Sequence, residues 1–215
     1  MSKDQDLRLL FVFSDPQLTE ISDEEYHDWY DNEHLPPRLE LDGFYSGVRY
    51  KAIDGQIPRF AAAYEHKAGV LQTDAYKRLF KERSAREAKI FDKIYLTRRE
   101  YKLLSTHGNP GQKNAKVIVY AAVSPQKGAE EAFNKWYVEE HIPLVKKNPG
   151  WLGARRWEKT AGDGPNFLVI HEYEHPDWQT SPQFRAASEQ AIEWMGKNLD
   201  STAVKERRVL QRMYD

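Results

Sequence analysis

The sequence has no cysteine, which excludes disulfide staples, thiol nucleophiles and thiolate-bound metals. It has almost no net charge. Its 32 basic and 33 acidic side chains leave a formal −1, so no overall field draws the chain to nucleic acid or to an anionic membrane. No apolar run approaches the length of a membrane span or a secretory h-region, and residues 1–6 are polar and acidic. A cytoplasmic location is therefore the default expectation. Several chemical signatures are missing too: no Walker loop, no G-x-G-x-x-G after a strand, no G-x-S-x-G elbow and no H-E-x-x-H. A nucleotide cofactor and a metal are accordingly not expected. The Gly-rich stretch at residues 160–165 runs from one strand into another and reads as a hairpin loop.

Aromatic side chains are plentiful: six Trp, twelve Tyr and nine Phe, enough apolar surface for a sizeable core. The sequence also repeats itself. Trp29-Tyr30-x-x-Glu33-His34-x-Pro36 returns as Trp136-Tyr137-x-x-Glu140-His141-x-Pro143, an offset of 136 − 29 = 107 residues in a chain of 215. Without a gap, the same offset superposes Gly43 on Gly150, Phe44 on Trp151, Arg49 on Arg156, Phe60 on Phe167 and Glu65 on Glu172. Two tandem copies follow, each of a size normal for one compact unit.

Within a copy the pattern reads strand, helix, strand, strand, helix, strand. Residues 9–13 and 116–123 are apolar runs closed by turn residues. Ser22-Asp23-Glu24-Glu25 has the spacing of a capping box, and the helix it opens is expected to end near His34, because Pro36 disfavours the helical conformation at Leu35. Strands at 44–51 and 151–158 lead through turns to third strands at 60–66 and 167–173. The near-continuous apolar character of these third strands predicts that both sheet faces are covered. Second helices are expected over 73–93 and from Pro182 behind the cap Ser181, and last strands over 98–104 and 207–213. The order βαββαβ is the ferredoxin-like motif. The predicted fold class is α+β: two tandem ferredoxin-like halves, 1–104 and 116–215, joined by a linker at 105–115 and packed sheet to sheet as an intramolecular barrel.

Two such segments, each ending a first helix and followed by Gly-aromatic and a strand, resemble the dimeric α/β-barrel superfamily and, within it, the EthD-like proteins. The resemblance covers nearly the whole chain, once per half. It implies a small apolar or aromatic molecule held between sheet and helices, no cofactor, and a His or Tyr that moves protons. Members of that superfamily include cofactor-independent monooxygenases, lactone isomerases, polyketide cyclases, decarboxylases or dehydratases, haem enzymes and proteins without an established reaction. An additional homodimer of the internal pseudo-dimer is compatible with it.

The residues themselves give the following expectations. Spacing of four puts Trp29 over Glu33 and Tyr30 over His34. A carboxylate in a last helical turn opposes the macrodipole, so Glu33 is expected to pair with Arg49 and Glu140 with Arg156, more as fold staples than as catalysts. His34 and His141 are candidate proton carriers, with helix capping as the plain alternative. Tyr30 and Tyr137 are candidate donors to a carbonyl, or else core residues with a bonded hydroxyl. Trp29 and Trp136 read as packing. Ala61-Ala62-Ala63, against Leu168-Val169-Ile170 in the second copy, suggests that a cavity belongs to the first half, lined by His34, Tyr30, Tyr64 and His66. His171, which replaces Tyr64, is a candidate acid/base group or a metal or haem ligand, although its spacing matches no metal-site pattern. The functional expectation is a cofactor-free lyase or isomerase (decarboxylase, dehydratase or cyclase) acting on a small carbonyl compound. The alternative is a non-catalytic ligand-binding or stress-response barrel.

Overall fold

The structure, a computed structural model, describes residues 6–16 and 19–214; the polar start at residues 1–5 lies outside them. The chain divides into two compact units. Among the described residues, those up to Leu103 with Lys159–Asp163 and Tyr214 form the first, and Leu104–Glu158 with Gly164–Met213 form the second.

In the first unit, β1 (Leu7–Asp15) pairs antiparallel with β3 (Phe60–Lys67) on one side and β4 (Tyr95–Gly108) on the other, and β2 (Phe44–Ala52) pairs with β3. The order is β4-β1-β3-β2. In the second unit, β5 (Val117–Ser124) lies between β7 (Phe167–Tyr173) and β8 (Val204–Arg212), and β6 (Trp151–Ala161) pairs with β7. The order β8-β5-β7-β6 is the same. Even the irregularities repeat: β2 shifts register between Phe44 and Ser46, and β6 between Trp151 and Gly153. Each of these strands leaves its preceding turn through the shared glycine, Gly43 at φ 93° and Gly150 at φ 69°, where a side chain would be strained. The fold class is thus α+β, two tandem ferredoxin-like halves, and the equivalences at offset 107 hold in three dimensions.

The leading helices differ from the sequence expectation. α1 (Asp23–Trp29), capped by the Ser22 hydroxyl on the Glu25 N–H at 3.1 Å, does not end at His34. It passes into a π-helical turn, Tyr30–His34, and continues as α2 (Pro36–Leu39). The second copy does the same through α5 (Glu130–Trp136), the π turn Tyr137–His141 and α6 (Ile142–Val145). The Leu35 N–H reaches back five residues to the Tyr30 carbonyl at 2.9 Å. Proline lacks an N–H and its ring collides with the carbonyl four residues back; the wider i→i+5 turn leaves room for it and lets the helix go on.

The second helices also diverge. In the first unit the predicted single helix is broken into α3 (Asp74–Lys81) and α4 (Ala85–Lys93), the latter capped by Ser84. In the second unit α7 (Pro182–Asn198) is continuous, with Ser181 as its cap and Pro182 in its first turn. β4 runs to Gly108, four residues beyond the expected strand end and into the stretch read as linker. β3 and β7 are almost wholly buried along their length, as their apolar runs predict. Among the described residues no helix is long and apolar enough to cross a membrane.

Candidate functional site

The π turn sets the geometry of both copies. Because its bonds close over five residues, Trp29 comes over His34, ring centroids 4.6 Å apart, while Tyr30 stays beside His34 at 4.8 Å. Trp136 and Tyr137 each lie 4.9 Å from His141 in the same way. Reading the segment as a regular α-helix therefore misjudged which acidic residue meets the following strand. The expected pairs of Glu33 with Arg49 and of Glu140 with Arg156 do not form. Arg49 binds Asp31 at 2.5 Å and His27 at 2.8 Å, and lies over the Tyr30 ring. Arg156 donates to Asn134 at 2.5 Å and lies over the Tyr137 ring. Glu33 instead accepts from the Ser84 hydroxyl and stands 3.8 Å from Arg86, and Glu140 accepts from the Gln190 amide at 3.5 Å.

In the first unit the remaining candidates form a closed polar lock. His34 Nδ1 meets the Glu87 carboxylate at 2.7 Å, and Arg38 lies 3.7 Å from the same carboxylate and donates to the His34 carbonyl. The Tyr30 and Tyr64 hydroxyls bond each other at 2.8 Å. His34, Arg38, Glu87, Tyr30 and Tyr64 are all buried. Burial pushes the His34 imidazole down to about 4, with Arg38 adding to the effect and Glu87 opposing it. His66 sits against Phe44, with Nδ1 on the Lys67 carbonyl at 2.9 Å.

The well-formed apolar cavity lies in the second unit, about 280 Å³ beneath α5, α6 and α7, and its walls include Tyr137, His141, His171, Trp178, Phe184 and Val145. This corrects the expectation drawn from Ala61-Ala62-Ala63. Strand side chains alternate in direction, and Tyr64 faces the helix through its bond to Tyr30, so only Ala62 of the three shares that face. It is flanked there by the fully buried rings of Phe60 and Tyr64. What opens the second unit is a set of exchanges at equivalent positions: Tyr64 becomes His171, Arg38 becomes Val145, Ser14 becomes Ala121 and Tyr26 becomes Phe133. The lock of the first unit is replaced by smaller or apolar side chains.

The polar groups of this cavity have a definite proton arrangement. The indole of Trp151, which can only donate, donates to His171 Nδ1 at 3.2 Å. The neutral His171 ring thus carries its proton on Nε2, which donates to the Tyr137 oxygen at 3.1 Å. The Tyr137 O–H is left to donate elsewhere. On the other side, the Gln190 amide nitrogen donates to Glu140, so its oxygen faces His141 Nδ1 at 3.4 Å. That places the His141 proton on Nδ1 and a lone pair on Nε2. Burial holds His141 at about 4 and His171 at about 3, the latter lowered further by the neighbouring His141, His107, Arg207 and Arg156 side chains, so both rings are neutral at pH 7. Burial also raises the Tyr137 hydroxyl well above its ordinary range, keeping it a donor. Among the described residues no cluster of His, Asp and Glu could hold a metal ion.

Of the residues singled out in the sequence, the structure thus brings Tyr137, His141 and His171 together in one cavity, while Tyr30, His34 and Tyr64 are locked. Sequence reasoning missed Glu87, Gln190, Trp151 as a tautomer-setting donor, and Asn148, whose amide lines the cavity and bonds Tyr173 at 3.1 Å. Glu87 and Gln190 occupy matching roles at an offset of 190 − 87 = 103, so the 107-residue register could not reveal them.

No protein-family model matches the chain, and no curated protein does. Solved structures do. An anthrone oxidase-like protein superposes with a TM-score of 0.67 at 11% identity, over 99% of this chain and 93% of that one. A ferredoxin-fold protein of Listeria monocytogenes related to antibiotic biosynthesis monooxygenases gives 0.53 at 12%, over 99% and 98%. A monooxygenase-like protein of Listeria innocua gives 0.53 at 11%, over 99% and 98%. At such identities the likeness shows the fold alone, two tandem ferredoxin-like halves.

Proposed function

We propose that the chain is a cofactor-independent enzyme of the lyase or isomerase kind, which enolises a small aromatic or apolar carbonyl compound in the cavity of its second unit. The observation that carries this reading is the pairing, in one apolar cavity, of a hydroxyl free to donate and an imidazole with a free lone pair. The substrate carbonyl oxygen would accept the Tyr137 O–H, and His141 Nε2 would take the proton from the adjacent carbon. The resulting enolate is stabilised by the Tyr137 hydrogen bond, which strengthens as negative charge develops on oxygen. His141 then returns the proton to carbon or to a leaving group, which completes isomerisation or dehydration. A pocket near the lower end of the usual ligand-site range suits a molecule of one or two rings. The name of one structural neighbour, an anthrone oxidase-like protein, fits an aromatic ligand.

The test is solvent deuterium exchange. Incubated in D₂O with a panel of aryl ketones, the protein should catalyse exchange at the carbon beside the carbonyl, followed by NMR. His141→Ala and Tyr137→Phe should each lower the rate about a hundredfold or more, whereas His34→Ala should keep it. Binding without exchange across the panel would assign the protein instead to the ligand-binding barrels.

A further inference from the structure

A second site, separate from the cavity, follows from comparing Arg156 with its twin. In the first unit Arg49 is buried at 3% exposure, yet it is neutralised by Asp31, whose carboxylate is partly open to solvent and also accepts from the Tyr214 hydroxyl at 2.8 Å. At offset 107 two of these partners have equivalents in the second unit: Asp31 becomes Val138 and His27 becomes Asn134. Arg156 is equally buried, at 5% exposure. Among the described residues no carboxylate stands within ion-pair distance of it; its partners are the neutral Asn134 oxygen and the Tyr137 ring. A buried guanidinium lacking a counter-charge is costly, and here valine stands where the first unit has the aspartate, while the buried cation and the tyrosine ring beneath it are kept. The space is open: Arg156, Asn134, Val138 and Ser105 line a cleft of about 680 Å³. His107, bonded to Ser105 at 2.9 Å, is near enough to feel the Arg156 charge.

We propose that this cleft binds a small monocarboxylate, whose carboxylate takes the place that the Asp31 side chain holds in the first unit, accepting from Arg156. Asp31 demonstrates the approach: a carboxylate at the surface can reach an arginine that is itself almost wholly buried. Leu104, Val138 and Phe167 offer apolar contact for the body of the acid. Glu131, Glu139 and Glu158 also border the cleft, against one further cation, Lys135, so the rim as a whole disfavours a second negative charge on the ligand. One carboxylate on an apolar or cationic body is the chemistry selected.

Calorimetric titration with sodium benzoate and with benzamide, its neutral isostere, tests this. The unmodified protein should bind benzoate saturably and benzamide at least about tenfold more weakly. Val138→Asp restores the first unit's internal carboxylate and should abolish benzoate binding while the melting temperature is kept or raised. Arg156→Gln should abolish it as well, with circular dichroism showing that the fold persists. Equal binding of benzamide, no benzoate binding by the unmodified protein, or undiminished binding by a folded Val138→Asp variant would each overturn the proposal. None of these readouts depends on catalysis in the cavity.

Discussion

Replacing His171 by glutamine should remove a defined part of the protein's acid sensitivity. Burial lowers this imidazole from the ordinary 6.5 to about 3 in the folded chain. Between those values the unfolded chain binds a proton that the folded chain refuses. The contribution to stability is therefore fully present above pH 6.5 and is lost as the pH falls toward 3. Going from pH 7 to pH 4.5, the two pKa values give a loss of about 2–3 kcal/mol from this one residue. His34 and His141, each lowered to about 4, add a similar amount apiece. Three such groups together cost about 7 kcal/mol, comparable to the whole stability of an ordinary domain, so the protein should unfold in mild acid. The assay is urea denaturation at pH 7.0 and pH 4.5, followed by tryptophan fluorescence. His171→Gln should show a fall in unfolding free energy between the two pH values that is smaller than the parent's by about 2–3 kcal/mol. If the two proteins lose the same amount, His171 is not held neutral by its surroundings, and the proton arrangement built on it is wrong.

Two further substitutions probe packing. Glu87→Ala strands the buried Arg38 cation and leaves the His34 ring without its partner; it should cost about 3–5 kcal/mol in chemical denaturation, and appreciably more than Glu87→Gln, which keeps a hydrogen-bonding group in place. Trp178 is 1% exposed, stacks on Tyr173 with centroids 4.3 Å apart and walls the cavity. Trp178→Ala should lower stability by about 3–5 kcal/mol and the melting temperature by about 10 °C, measured by calorimetry.

Much of the architecture can be read in the sequence because the repeat duplicates many of its signals. The shared Gly43 and Gly150, the caps Ser22 and Ser181 and the apolar third strands each mark an element where the structure has one. The site was harder to place. The π turn is dictated by how a helix accommodates Pro36 and Pro143, a rare response that no α-helical spacing predicts, and it moved Arg49 from Glu33 to Asp31. The cavity was expected in the wrong half because three consecutive alanines suggest space only if their alternation in β3 is ignored; with Ala62 alone facing the helices, the decisive changes were Tyr64 to His171 and Arg38 to Val145. The partners of the histidines lie on second helices that are broken in one unit and continuous in the other, which shifts their offset away from 107. Tyr137, His141 and His171 are legible as residue types, but the placement of their protons depends on Trp151 and Gln190, whose contacts exist only in the folded chain.

The proposed chemistry belongs to the second unit because an apolar cavity reaches its histidines, where the equivalent groups of the first unit bond one another. The deuterium-exchange rate of His171→Tyr measures this most directly, since that one change rebuilds the tyrosine pair of the first unit inside the second. Exchange reduced about a hundredfold or more in a protein that still melts at or above the parent temperature is the predicted result. Exchange at the parent rate would contradict the account.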